Sequence, residues 1–158
     1  MNRTIAAPTA AALQTLGERL GRMVTVGDVL ALVGPLGAGK TTFVQGLARG
    51  LGVPTERHVA SPTFALVNEH PGRAPLVHAD LYRIADRREL EELGLDDAFD
   101  RAVVAIEWLD RFPDAAPAER LEIAIAISED GGRTLTLRPT GARAEALATA
   151  LDPLRVPI

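Results

Sequence analysis

Gly34-Pro35-Leu36-Gly37-Ala38-Gly39-Lys40-Thr41 constrains this chain more than any other stretch. It satisfies the pattern G-x-x-x-x-G-K-[ST] at every fixed position. Val29-Leu30-Ala31-Leu32-Val33 stands before it, an unbroken apolar run of the kind found in buried strands. Phe43, Val44, Leu47, Ala48 and Leu51 follow at helical spacing, until Gly52 and Pro54 end the pattern. Strand, glycine loop and helix therefore come in the order that a phosphate-binding P-loop needs. Gly37 and Gly39, on either side of Ala38, free the backbone to turn its N–H groups inward. The helix that follows adds a partial positive charge.

Lys40 is the only lysine in the chain; the other basic side chains are all arginine. An ammonium on a thin stem fits a loop wrapped around phosphates, where a planar guanidinium does not. The spacing sends Lys40 to the β- and γ-phosphates and gives the Thr41 hydroxyl to Mg²⁺. Thr42 either serves the α-phosphate side or simply closes the first helical turn.

With 158 residues the chain has the length of one domain with a real core, spanning residues 1–158. Its net charge of −4 weighs against a protein built to grip nucleic acid through a basic surface. The absence of cysteine removes disulfides and thiolate chemistry and suits a reducing compartment. No apolar run is long enough to span a bilayer, and the N-terminus lacks a signal-peptide pattern. A cytoplasmic protein without membrane contact is expected.

Leu13, Leu16, Leu20 and Met23 predict a helix from Ala10 to Met23, capped by Thr9. Strands are expected over Phe64 to Val67, Leu76 to Ala79 and Ala102 to Ile106, with a turn at Pro71-Gly72. Arg87 to Leu93 reads as a solvated helix ending at Gly94. Leu121 to Ser128 and Arg133 to Leu137 alternate about Gly131-Gly132 as a hairpin, and Ala142 to Leu151 as a last helix. The sum is an α/β P-loop NTPase fold. A mainly parallel central sheet is flanked by helices, and the hairpin lies antiparallel at an edge.

A nucleoside triphosphatase also needs an acid near Mg²⁺ and a group that orients the attacking water. Asp80 and Glu107 each stand directly after an apolar strand. Ligands of open α/β sheets bind outside the carboxyl ends of the strands, so both acids are candidates to face the P-loop, with Lys40, as the catalytic set. His78 alternates with Val77 and has no partner at metal-ligand spacing, so it reads as structural. Trp108 either packs beside Glu107 or belongs to the core; Arg83 either meets a phosphate or partner or pairs on the surface.

Three further segments follow in order: Ser61-Pro62-Thr63-Phe64, His78-Ala79-Asp80-Leu81-Tyr82-Arg83 and Ile106-Glu107-Trp108. With Gly37-Ala38-Gly39-Lys40-Thr41-Thr42 they resemble the TsaE family, the small bacterial ATPases needed for threonylcarbamoyladenosine modification of tRNA. The resemblance runs from the first helix to Gly131-Gly132-Arg133. It implies ATP and Mg²⁺ as ligands, with Thr41 and Glu107 at the metal-contacting positions. Ser61-Pro62-Thr63 matches a first switch-like segment, and Asp80 lies in a second. Arg133 resembles a basic position near the nucleotide base, which the residues around Thr9 and Ala10 also approach. The resemblance further implies slow ATP hydrolysis by the chain alone, TsaB and TsaD as partners, and contact with tRNA only through that assembly. Leu109-Asp110 stands where the family often has proline after Glu-Trp, and Ala65 and His70 replace a downstream threonine and aromatic residue. Two other functions remain open at this point. One is a small-molecule kinase using the same loop, with Arg83, Arg87 and Arg88 as a lid. The other is a nucleotide-binding regulatory module with negligible turnover.

Overall fold

The two apolar patterns of the sequence become two kinds of strand. The computed structural model describes residues 2–55, 59 and 66–152. Among these, seven strands form one sheet: β1 (Arg3–Ala7), β2 (Val29–Val33), β3 (Val67–His70), β4 (Leu76–Asp80), β5 (Val103–Glu107), β6 (Arg120–Ile127) and β7 (Arg133–Thr140). Their spatial order is β1-β7-β6-β2-β5-β4-β3. The centre, β6-β2-β5-β4, is parallel throughout. Unbroken apolar runs occupy β2, β4 and β5, which are buried on both faces. Alternating runs occupy β6 and β7, which bury Leu121, Ile123, Ile125, Leu135 and Leu137 on one face only.

Among the described residues five helices cover the sheet: α1 (Ala10–Met23), α2 (Lys40–Gly50), α3 (Arg87–Glu92), α4 (Leu95–Ala98) and α5 (Ala142–Leu151). Leu13, Leu20, Phe43, Leu47, Leu147 and Leu151 pack from α1, α2 and α5 onto one face, against Leu30, Leu32, Leu76, Val103 and Ala105. Leu90, Leu95 and Ala98 pack from α3 and α4 onto the other face, against Ala31, Val77, Ala79, Val104 and Ile106. Thr9 caps α1 as expected, its hydroxyl accepting from Ala12 N–H at 3.0 Å.

The mainly parallel centre and the antiparallel hairpin β6–β7 both follow the expected plan. Two details differ. β1 was not foreseen; it pairs antiparallel with β7 and takes the outer edge beyond the hairpin. Only Ile5 and Ala7 are buried along it, too little for an apolar signature. The strand expected at Phe64 to Val67 instead begins at Val67 and runs to His70. Leu66 has φ 64°, so an extended strand cannot pass through it. Residues 60–65, including Ser61, Pro62, Thr63 and Phe64, lie outside the described residues.

Candidate nucleotide site

The loop from Gly34 to Gly39 joins the carboxyl end of β2 to the first turn of α2, where Lys40 is the first helical residue. Gly37 and Gly39 have φ of 80° and 112°, which side-chain-bearing residues avoid. A Cβ on Gly39 would also lie 2.5 Å from Leu13 Cδ2, so α1 packs hard against the loop. No side chain caps α2, and its first-turn N–H groups are left to a ligand in the loop.

The position of α2 is set by glycines. Gly17 and Gly21 on α1 face Gly46 and Gly50 on α2. A Cβ on any of them would come within 2.3 Å of a carbonyl oxygen of the opposite helix. The two backbones therefore touch. Nothing in the periodicity of leucines announces this contact; the signal available was the spacing G-x-x-x-G in both helices.

Strand register brings the two acids together. Asp80 is paired with Glu107 across β4 and β5, and Glu107 with Leu32 at the end of β2. Side chains alternate, so His78 and Asp80 share the face of Leu76, while Glu107 shares that of Val103 and Ala105. This is the face that carries α2. A cleft of about 500 Å³ results, lined by Gly37, Gly39, Lys40, Thr41, Thr42, Asp80 and Glu107, with Tyr82, Arg83 and Trp108 on its far wall. The Lys40, Thr41, Asp80 and Glu107 expected from sequence thus meet at one place.

The electrostatics are those of a site prepared for a ligand. Lys40 is only 6% exposed and donates to the Gly34 carbonyl at 2.5 Å. Its ammonium lies 4.2 Å from the centre of the Trp108 ring. It has no ion-pair partner among the described residues. Burial pushes its pKa below the usual lysine value, and the charges of Glu107, Asp80 and Asp110 oppose that shift without cancelling it. Asp80 and Glu107 are buried too. Asp80 Oδ1 accepts from Tyr82 N–H at 2.8 Å, and Glu107 Oε2 meets His78 Nε2 at 2.6 Å. One ammonium beside two carboxylates suits a mixed-charge guest, an anion carrying its own cation, better than a bare anion. Thr41 and the carboxylates offer only oxygen donors, the hard set that Mg²⁺ takes together with phosphate oxygens.

Trp108 is a wall of the site. Its φ of 62° is left-handed, which turns the chain sharply after Glu107. The indole then sits between the Lys40 ammonium and the Tyr82 ring, whose centre is 4.9 Å away. Leu109 occupies the place of the family's proline and is buried in the second core, starting a short 3-10 turn. Arg111, which the sequence reading passed over, donates to the carbonyls of Leu81 and Tyr82 at 2.9 and 2.6 Å. Together with Leu81 N–H on Glu107 O, it binds the two acidic segments to each other.

Arg133 reaches the loop from β7, where it donates to the carbonyls of Ala38 at 2.6 Å and Gly37 at 3.2 Å. Its remaining bonds go to the carbonyls of Gly131 and Gly132. Ala38 is buried beneath that contact. Arg87, expected on a solvated helix face, pairs with Asp114 at the surface.

Residues 7–135 match the family model described as threonylcarbamoyl adenosine biosynthesis protein TsaE. The chain is 46% identical over 128 residues to the tRNA threonylcarbamoyladenosine biosynthesis protein TsaE of Bacillus subtilis, covering 80% of this chain and 78% of that one. The protein of the same description from Nostoc is 42% identical over 130 residues, 78% of each chain. That from Streptomyces coelicolor is 37% identical over 139 residues, 83% of this chain and 93% of its own. The crystal structure of Bacillus subtilis YdiB superposes with a TM-score of 0.82 at 33% identity, covering 96% of this chain and 94% of that one. Family model, relatives and solved structure agree, and the chain belongs to the TsaE family.

Proposed function

We propose that this chain is a Mg²⁺-dependent ATPase of the cytoplasm that acts with TsaB and TsaD in the threonylcarbamoyladenosine modification of tRNA. It works as one P-loop domain over residues 1–158 and meets tRNA only through its partners. The observation that carries the reading is the meeting of Lys40, Thr41, Asp80 and Glu107 on one cleft at the carboxyl ends of parallel strands. No helix among the described residues is long and apolar enough to cross a membrane.

Each residue has a defined task. The N–H groups of the loop and of the first turn of α2 hold the phosphate oxygens. Lys40 exchanges the Gly34 carbonyl for the β- and γ-phosphates and so gains an anionic partner that it lacks among the described residues. Thr41 and Glu107 would hold Mg²⁺, which would supply charge neutralisation to the phosphate oxygens. Asp80 orients the water that attacks the γ-phosphorus. The bond to the β–γ bridging oxygen breaks, and ADP, phosphate and a proton leave. Arg133 keeps the loop carbonyls turned outward, so that the loop N–H groups stay turned inward.

An arginine supplied by a partner is worth roughly 10³–10⁵ in rate at such sites, so slow turnover alone is expected. The test is phosphate release from ATP by the chain alone and with TsaB and TsaD, followed by assay of modified tRNA. Slow release that the partners accelerate, with modification dependent on this chain, supports the proposal. Transfer of phosphate to an acceptor instead of water would make the chain a kinase. Absence of single-turnover hydrolysis with both partners would make it a regulatory module.

A further inference from the structure

We infer that His78 is a positioning residue for Glu107: its Nε2–H fixes one carboxylate oxygen and thereby presents the other to the cleft. The inference rests on the ATPase reading above and adds a residue to it.

His78 is fully buried in the middle of β4, and Glu107, 3% exposed, ends β5. The residue paired with His78 across the strands is Ala105, whose methyl leaves room for the imidazole to reach Glu107 two places further on. The contact is 2.6 Å, at the short end of hydrogen-bond lengths. Among the described residues it is the only hydrogen bond made to the Glu107 carboxylate. The other ring nitrogen, Nδ1, has no partner among them.

These facts distinguish His78 from an ordinary core histidine. A buried imidazole kept for stability satisfies both nitrogens, since a buried polar atom without a partner costs free energy. His78 satisfies one, and spends it on Glu107. An apolar side chain in its place would fill the buried position at least as well, because buried polar pairs rarely outperform hydrophobic packing. What an apolar side chain cannot do is hold a glutamate rotamer. Glu107 has three side-chain torsions and lines the cleft from a strand end. With Oε2 bound to His78, the carboxylate plane is set and Oε1 is left for the site. Partners of ligating groups behave in this way at metal centres, and losing them costs roughly 10–100-fold in metal affinity or activity.

The test uses the full chain with TsaB and TsaD, ATP and Mg²⁺. His78→Met keeps approximate volume and removes the donor. His78→Gln keeps an N–H donor at similar reach. We expect His78→Met to lower kcat by about 10–100-fold and to raise the Mg²⁺ concentration needed for half-maximal rate. Affinity for ATP measured in EDTA should stay within about twofold of native, a change of under half a kcal/mol. His78→Gln should recover most of the rate. A merely structural role predicts the opposite pattern, with ATP affinity, melting temperature and rate falling together and no rescue. A His78→Met enzyme with native kcat and native Mg²⁺ dependence overturns the inference. Should that variant fail to fold, nitrogen-15 spectra of the native chain decide the matter. A proton on His78 Nε2 whose resonance moves in Glu107→Gln supports it, and a bare Nε2 refutes it. A native chain that neither binds nor hydrolyses ATP would instead sink the underlying ATPase reading.

Discussion

Gly46→Ala adds one methyl group almost two turns away from the phosphate loop, and the structure makes its cost calculable. The new Cβ would lie 2.1 Å from the Gln14 carbonyl oxygen and 2.9 Å from the carbonyl carbon. Ordinary contact begins near 3.4 Å, and the atoms in the way are backbone, so no rotamer change relieves the overlap. The helices must part by roughly 1 Å, and a gap of that size forfeits about a quarter to a half of the dispersion well of each pair it separates. Overpacking typically costs about 1–3 kcal/mol, and a clash between backbones belongs at the upper end. Replacing glycine by alanine inside a helix returns about 1 kcal/mol through propensity. The net loss is about 2 kcal/mol, which for a chain of this length lowers Tm by about 4–8 °C. Thermal unfolding of the nucleotide-free protein measures it. The double variant Gly17→Ala/Gly46→Ala should lose less than the two singles combined. Gly17 meets Phe43 O, Leu47 N and Gly46 Cα at the same contact, and the second methyl enters a gap already opened. A Gly46→Ala protein as stable as the native one, or more so, would refute the close approach of α1 and α2 on which this reasoning stands.

Three further outcomes are expected. Lys40→Met should abolish ATP binding in calorimetry. Its stability relative to native should also depend on pH with a definite sign. Burial lowers the lysine pKa, so the unfolded chain holds this proton more tightly than the folded one. Native stability therefore rises relative to the variant as pH climbs through the folded pKa towards 10.5, and an unchanged difference across that range would contradict the cause assigned. Glu107→Gln should keep nucleotide binding and lose hydrolysis; full turnover would remove Glu107 from the mechanism. Arg133→Ala should weaken ATP, GTP and inorganic tripolyphosphate alike, by about tenfold for each 1.4 kcal/mol of loop order lost. Unchanged tripolyphosphate binding with altered preference for ATP over GTP would instead make Arg133 a base contact.

The sequence exposed what depends on short-range pattern. The strand before the loop, the glycines within it and the helix after it are contiguous, and each obeys a local rule. The strand-end acids were legible because apolar runs stop abruptly at Asp80 and Glu107. Register was not legible. That Asp80 sits directly opposite Glu107 follows from pairing β4 with β5, and chain order alone would have placed β2 beside β4. The contact of His78 with Glu107 was hidden for the same reason: the two stand 29 residues apart and become neighbours only once that register is set. The reach of Arg133 onto carbonyls 95 and 96 residues earlier in the chain was equally invisible, because no local pattern announces it. β1 left almost no trace, since two buried side chains do not make a pattern.

The two walls of the cleft are held by different means, and the difference bears on how the site works. On the loop side the restraint is steric. Glycines let α1 touch α2, Leu13 fills the space beneath Gly39, and Arg133 ties Gly37 and Ala38 to β7. Such contacts have no second arrangement available at low cost, because close-packed backbones do not slide by fractions of an ångström. On the acidic side the restraint is polar and internal. Leu81 bonds to Glu107, Arg111 bonds to Leu81 and Tyr82, and Tyr82 leans on Trp108. These bonds join the segment after β4 to the segment after β5. Trp108 also reaches the loop side, where the Lys40 ammonium lies over the indole. Under the proposed function that is the same ammonium a triphosphate would claim. Nucleotide binding would then exchange this contact across the cleft while leaving intact the bonds that hold each wall together.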